Sequence, residues 1–322
     1  MHAFILAGGF ATRLWPLTEH RAKPLLPLVG KPIVNHIIDK VPAGIPITVS
    51  TNAAFEEAFF EWKSTITREH VSVHIEQVMH DDMKLGALGA IAFWVKNNSI
   101  NEDILLLTGD NYFGFDLGAF LACKRENIPL IAAYDIGDMA KASSFGTILL
   151  NEDGKTVKGF EEKPKNPQSS LVSTGCSLLP ASLLPVLIEY AAEHPDNIGG
   201  IFEECIRRGI TIDCFRFTEP WFDIGTFDSY LEATRSMVQD RVMLGTDARL
   251  EETNCQESVV IGEKSEVLKS TLRNTVIFDG CFIEECHLEN CILDNRCVLR
   301  GVDLSNKMIR ADTTIILPNA KA

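Results

Sequence analysis

The residues of this chain that could do chemistry begin at its N terminus. The apolar run Ala3-Phe4-Ile5-Leu6-Ala7 reads as a buried strand and leads into Gly8-Gly9-Phe10-Ala11-Thr12-Arg13-Leu14. Glycines let backbone N–H groups approach phosphate oxygens closely, and the cations Arg13 and Lys23 supply the charge a triphosphate needs. The spacing fits neither a Walker A loop nor a dinucleotide fingerprint. Further along, Asp110 follows the apolar run Ile104–Thr108 within Thr108-Gly109-Asp110-Asn111. A carboxylate at the carboxyl end of a buried strand, beside a glycine, can face a ligand and take Mg²⁺. Gly-Asp-Asn would equally suit a plain turn.

Positioning such residues requires a scaffold, and residues 1 to about 240 supply one by alternating strand and helix patterns. Strands are predicted at His2–Ala7, Pro46–Thr51, Val71–Glu76, Ile104–Thr108 and Pro129–Tyr134, and helices at Pro32–Lys40, Ala53–Thr67, Gly86–Lys96 and Leu117–Arg125. Continuous apolar runs suit strands buried on both faces. The fold class is therefore α/β: a Rossmann-like, mostly parallel sheet with helices on both faces, whose ligands bind beyond the carboxyl ends of the strands. The glycine loop and Asp110 both fall at such ends.

After about residue 245 the pattern changes. Asn274, Asn290 and Asn306 recur at a step of 16 residues, as do Val260, Val276, Ile292 and Met308, and also Val267, Ile283, Leu299 and Ile315. Short strands repeating at a fixed step, none able to bury its face alone, indicate a β-solenoid of about four coils over residues 245–322. Ser265, Cys281, Cys297 and Thr313 form a ladder of small residues. Interior rungs explain the two cysteines better than metal ligation does, because free cysteine packs as a small hydrophobe.

Composition bounds the partners. A net charge of −14 over 322 residues argues against non-specific binding to nucleic acid or anionic membrane. No charged-then-apolar leader opens the chain, and no stretch approaches the roughly 20 apolar residues of a membrane helix, so a cytoplasmic protein is expected. The nine cysteines lack the close paired spacings of zinc or redox motifs and are expected to be reduced and packed.

The N-terminal stretch as a whole, with Arg13, Lys23 and the prolines Pro16, Pro24, Pro27 and Pro32, resembles the signature of the sugar-1-phosphate nucleotidyltransferases. The tail resembles the left-handed parallel β-helix attached to many of them. The resemblance implies a catalytic domain at 1–240 that joins a nucleoside triphosphate to a hexose 1-phosphate with Mg²⁺ and releases pyrophosphate. It implies that Arg13, Lys23 and Lys163 are catalytic. Leu6, Ala7, Gly8, Gly9, Thr12, Arg13, Gln77, Gly86 and Asp110 would bind the nucleotide. Gly146, Glu162, Lys163, Thr174 and Gly175 would bind the sugar phosphate. Asp110 and Asp223, the latter in Trp221-Phe222-Asp223-Ile224-Gly225-Thr226, would hold the metal. Asp223 could instead cap the helix that starts at Phe227, but Thr226 is better placed for that.

Two positions depart from the family pattern: Ala11 stands where glycine is usual, and Ala22 where proline precedes the lysine. If position 11 needs a positive φ, alanine costs about 1 kcal/mol or more there. Glucose 1-phosphate with dTTP or UTP is the first expectation for substrates. Mannose 1-phosphate with GTP is the alternative, and so is a non-catalytic regulatory subunit of the same fold. A homo-oligomer is expected because a solenoid end leaves unpaired edges. An acyltransferase working through the solenoid would need a better-placed base than His287.

Overall fold

The computed structural model describes residues 1–9, 11–76 and 85–318. The chain forms two compact units, one of Met1–Gly9 with Ile37–Trp221 and the other of Phe10–His36 with Phe222–Ala322.

The first unit is built on a nine-stranded sheet. Its parallel part runs Val71–Glu76, Ile47–Asn52, His2–Leu6, Ile104–Thr108 in spatial order. These are the strands whose apolar runs predicted burial on both faces. Leu171–Leu179 then pairs antiparallel with Ile104–Thr108. It carries the sheet on to the parallel pair Leu130–Asp135 and Asp213–Phe217, and to Gly146–Leu150 and Val157–Glu162. All five predicted strands are present. Two begin one residue late, at Ile47 and Leu130, because Pro46 and Pro129 have no N–H for the ladder. Both prolines still accept hydrogen bonds through their carbonyls, from Ala3 at 2.8 Å and from Asp213 at 2.8 Å.

Helix Ala87–Asn97 buries Leu88, Ile91, Trp94 and Val95 in a core shared with Phe4, Leu106, Ile131 and Ile148. Each such side chain contributes roughly 1.5–3 kcal/mol on burial. The predicted helix at 53–67 is a 3₁₀ turn, Ala53–Phe55, followed by an α-helix, Glu56–Thr65. The Asn52 side chain caps it by accepting from Ala54 N at 3.0 Å. Helix Leu117–Ala122 ends before Arg125, whose guanidinium forks onto Asp213. No helix among the described residues is long and apolar enough to cross a membrane.

In the second unit, residues 242–316 form a parallel β-helix whose strands stack in two five-stranded sheets. Each coil bends at residues in the left-handed region. One column of bends is Glu257, Asn274, Asn290 and Asn306, with φ between 44° and 57°. A second is Lys264, Gly280, Arg296 and Asp312, and a third is Glu252, Lys269, Glu285 and Gly301. Asparagine tolerates this conformation best among non-glycine residues, which gives the 16-residue asparagine ladder its cause. The amides also bond coil to coil, Asn274 Nδ2 to Asn290 Oδ1 at 2.7 Å and Asn290 Nδ2 to Asn306 Oδ1 at 3.2 Å.

The first turn of the helix is one residue longer. Asn254 sits over Thr271 but Val259 over Thr275, so the extra residue is absorbed at the Glu257–Ser258 bend. The small ladder has a chemical role as well. Following each second-column bend, Ser265 Oγ donates to Phe278 O at 2.8 Å, Cys281 Sγ to Asp294 O at 3.2 Å and Cys297 Sγ to Arg310 O at 3.2 Å. A hydroxyl or thiol here satisfies a buried carbonyl of the next coil. Cys281 and Cys297 are interior rungs, 2% and 0% exposed. All nine cysteines are free, and six of them are buried.

Candidate active site

In the first unit, the glycine loop leaves the strand end at Leu6 and is held from beside and below. Gly109 N donates to Leu6 O at 2.7 Å, and a β-carbon at Gly109 would lie at that same 2.7 Å from Leu6 O. Only glycine therefore lets the two strand ends approach this closely, and the approach sets Gly109, the residue before Asp110, against Leu6 and Ala7, where the glycine loop begins. The Asp110 carboxylate is also aimed. Asn111 Nδ2 donates to Asp110 Oδ1 at 2.9 Å, and Trp221 Nε1 donates to Asn111 Oδ1 at 2.8 Å. Trp221 is 8% exposed and meets the Phe145 ring edge-on at 5.3 Å between centroids. Phe145, Trp221, Asn111 and Asp110 thus form one connected chain. Asn111 and Trp221 were in the sequence motifs, but their positioning role was not legible there.

Beneath the loop, Asn52 Nδ2 donates to Gly8 O at 2.7 Å and Ser50 Oγ donates to Glu76 Oε1 at 2.8 Å. Glu76 was not anticipated as part of this region. Burial pushes its pKa above the ordinary carboxylate value, and the Ser50 hydrogen bond opposes that shift. The folded protein therefore holds this proton more firmly than the unfolded chain does. The stability the group contributes is full below the usual carboxylate range and is lost as pH rises through the folded pKa. Glu76→Gln is accordingly expected to raise the urea midpoint at neutral pH and to leave it unchanged well below the carboxylate range. An equal effect at both pH values would contradict this account.

The residues expected to meet the sugar cluster in the same unit. Glu162 is half-buried, and its backbone N–H donates to Glu203 Oε1 at 2.8 Å. Burial raises its pKa, with Lys163 opposing the shift and Glu203 adding to it. Lys163 Nζ lies 3.7 Å from Glu162 Oε1, and Lys163 itself sits at φ 47°. That conformation is uncommon outside glycine and asparagine and marks a constrained turn. Gly146 and Gly199 make room for the Glu162 carboxylate. A β-carbon would come within 2.9 Å of Glu162 Oε2 at Gly146 and within 1.9 Å at Gly199. Glu203 and Gly199, on and just before helix Gly200–Arg207, are contributors that sequence reasoning missed. Spacing carries no signal for them.

Three predicted residues have other uses in the fold. Thr174 is 2% exposed, and its hydroxyl donates to Ala132 O at 2.9 Å. Gly86 has φ 77°, and a β-carbon there would lie 2.3 Å from Pro195 O, so the start of its helix demands glycine whatever binds nearby. Gly175, at φ 71°, packs against Thr108, where a β-carbon would lie 2.2 Å from Oγ1. Gln77 lies outside the described residues.

The second unit holds the remaining cations and the second carboxylate. Lys23 opens a 3₁₀ turn, Lys23–Leu25, and is 7% exposed with Nζ 3.8 Å from Asp223 Oδ1. A β-carbon at Gly225 would lie 3.1 Å from Arg13 Nη2 and 3.7 Å from Asp223 Oδ1, so Gly225 lets the guanidinium and the carboxylate share one edge. Thr12 and Arg13 are exposed on the turn Thr12–Leu14. Ala11 does take the left-handed conformation, φ 47° and ψ 47°, and Thr18 Oγ1 steadies it by donating to Ala11 O at 3.0 Å. Thr226, not Asp223, caps helix Phe227–Val238, in a capping box with Ser229. Asp223 is thereby left to face Lys23.

Among the described residues no group of three or more His, Cys, Asp or Glu converges as a preformed metal cage. Mg²⁺ does not need one, since it is commonly held by one or two carboxylates together with substrate phosphates and water.

The chain is 29% identical over 248 residues to the UTP–glucose-1-phosphate uridylyltransferase AglF of Haloferax volcanii, covering 74% of this chain and 98% of that one. It is 29% identical over 266 residues to a glucose-1-phosphate adenylyltransferase of Thermomicrobium roseum, covering 74% of this chain and 60% of the relative's length. A solved Bacillus anthracis structure, provisionally described as a glucose-1-phosphate thymidylyltransferase, superposes with a TM-score of 0.61 at 23% identity over 73% of this chain and 94% of that one. That likeness shows the fold. The nucleotidyl transferase family model matches residues 2–240, and the chain belongs to that family.

Proposed function

We propose that the protein transfers a nucleotidyl group from a nucleoside triphosphate to a hexose 1-phosphate. A phosphate oxygen of the sugar attacks the α-phosphorus, the bond from that phosphorus to the bridging oxygen breaks, and pyrophosphate leaves. The observation that carries this reading is the Asp110 carboxylate, fixed by Asn111 and Trp221 on a strand end that the 2.7 Å Gly109–Leu6 hydrogen bond ties to the strand leading into the glycine loop. Such a reaction asks mainly for positioning and charge stabilisation.

Each group has an assigned part in this reading. Leu6, Ala7, Gly8, Gly9, Thr12, Gln77 and Gly86 cradle the nucleotide. Arg13 and Lys23 neutralise its phosphates and stabilise the leaving pyrophosphate. Glu162, Lys163, Gly146, Thr174 and Gly175 hold the sugar phosphate. Asp110 and Asp223 are the carboxylates we assign to Mg²⁺, which when bound would neutralise phosphate charge.

Glucose 1-phosphate is the favoured acceptor because the names of both relatives carry it. UTP or dTTP is the favoured donor, although those names differ in the base. The protein is further proposed to work in the cytoplasm and to be a homo-oligomer. The strand Val242–Leu244 lies at the edge of its sheet with all three apolar side chains exposed, a surface that favours self-association.

The test is pyrophosphate release with Mg²⁺ from a matrix of sugar 1-phosphates and nucleoside triphosphates. Release that requires one particular pair is expected. Silence across the matrix from folded protein would favour the non-catalytic subunit.

A further inference from the structure

The segment Phe10–His36, which carries Arg13 and Lys23, belongs to the same compact unit as the β-helix. Two residues before Lys23, Arg21 Nη1 donates to Asp294 Oδ1 at 3.2 Å. This pair is sheltered, the side chains being 25% and 7% exposed. The Arg21 guanidinium also lies 5.7 Å over the centre of the Phe278 ring. Asp294 is fixed by its own coil, since its Oδ1 accepts from Asn295 N at 2.7 Å. Between Arg21 and Lys23 stands Ala22, fully buried, so the link has no slack.

We propose that the Arg21–Asp294 pair is a positioning device for Lys23, by which the β-helix holds a phosphate-binding cation of the active site in place. The proposal rests on the reading of Lys23 as a nucleotide-phosphate ligand. Removing either partner leaves the other charge sheltered and uncompensated, and the strand of chain leading to Lys23 then shifts to rehydrate it. A second tie, Arg310 Nε to Glu19 Oε2 at 2.7 Å, is 56% exposed at the arginine and holds less firmly. Among the described residues, neither Arg21 nor Asp294 has a hydrogen bond or ion pair to the groups assigned to the reaction. They are positioning residues, and their loss should read out at Lys23.

The experiment uses the full-length chain with Arg21→Ala, Asp294→Ala, the double variant and Asp294→Glu. An amine-reactive reagent labels the folded proteins, and mass spectrometry follows Lys23 against exposed Lys158 as an internal reference. Either alanine variant is expected to raise Lys23 labelling severalfold relative to Lys158. Each should raise KM for the nucleotide about tenfold, with KM for the sugar 1-phosphate nearly unchanged. The double variant should be no worse than the worse single, and Asp294→Glu should restore most of the loss. Should Asp294→Ala fail to fold, Asp294→Asn carries the test, because it keeps the shape and removes only the charge.

Unchanged Lys23 labelling, additive single effects, or equal loss for both substrates would overturn the proposal. Labelling does not depend on turnover. A wild-type protein silent toward every substrate pair would therefore sink the proposed function while Lys23 exposure still decided the fate of the pair.

Discussion

Asp110→Asn is expected to lower turnover by about 10²–10³-fold while leaving the unfolding transition in place. The substitution keeps size and shape, and an amide oxygen can still accept from Asn111 Nδ2, so the Phe145–Trp221–Asn111 chain survives. What disappears is the negative charge at the end of Ile104–Thr108, beside the glycine loop. Initial rates at saturating substrates, with a Mg²⁺ titration, give the decisive measurement. A variant that needs more metal and stays slow supports the role. A variant with near-normal rate and unchanged metal dependence removes Asp110 from the chemistry and returns Gly109-Asp110-Asn111 to the status of a turn.

Ending the chain at residue 240 is expected to be comparably damaging. A solenoid appended to a catalytic domain invites the expectation that it serves assembly and stability alone. The structure binds it instead to the segment bearing Arg13 and Lys23. Tyr230 is fully buried, its ring lies 6.4 Å from Phe278, and its hydroxyl donates to the Pro27 carbonyl. Val260, Val276 and Ile292 belong to the ladder that alternates with the coil's interior residues, yet they are 7%, 2% and 0% exposed. Truncation strips Phe278 and Asp294 from the Phe10–His36 segment. A misplacement of about 1 Å in a positioning element can cost roughly 10²-fold in rate, so turnover should fall at least that far. Limited proteolysis should find new cleavage between residues 10 and 36, with the sheet unit resistant. A truncated protein that is folded, uncut and fully active would sink this account.

Much of the framework was legible because it rests on periodicities that burial imposes. Leucine and isoleucine runs such as Ile104-Leu105-Leu106-Leu107 have only one economical place, inside a sheet covered on both faces. The 16-residue ladders likewise announce stacked coils, although the longer first turn hides the register before Val259. The antiparallel strand Leu171–Leu179 was not read as a strand. Its Ser-Thr-Gly interruption breaks the alternation, and the structure accommodates that interruption as a register shift between Ser173 and Ser177.

In the site, motif residues were legible and their supports were not. Lys23, Asp110, Glu162 and Asp223 stand out by type and setting. Asn52 holds the glycine loop through Gly8, and Gly199 and Glu203 hold Glu162, through contacts between segments far apart in sequence, which no local pattern encodes. Ala11 was legible as an anomaly, and its left-handed backbone shows that the loop keeps its shape at the expense of a strained alanine.

The Arg21–Asp294 contact joins residues 273 positions apart. At ribosomal rates of roughly 5–20 residues per second, about 14 to 55 seconds separate the emergence of these two partners. Over that interval the sheet strands can pair while Arg21 lacks its partner on the β-helix. A nascent or prematurely terminated chain would then carry an ordered sheet and an unformed cation site. Emergence of the β-helix would itself be the event that completes the cation site.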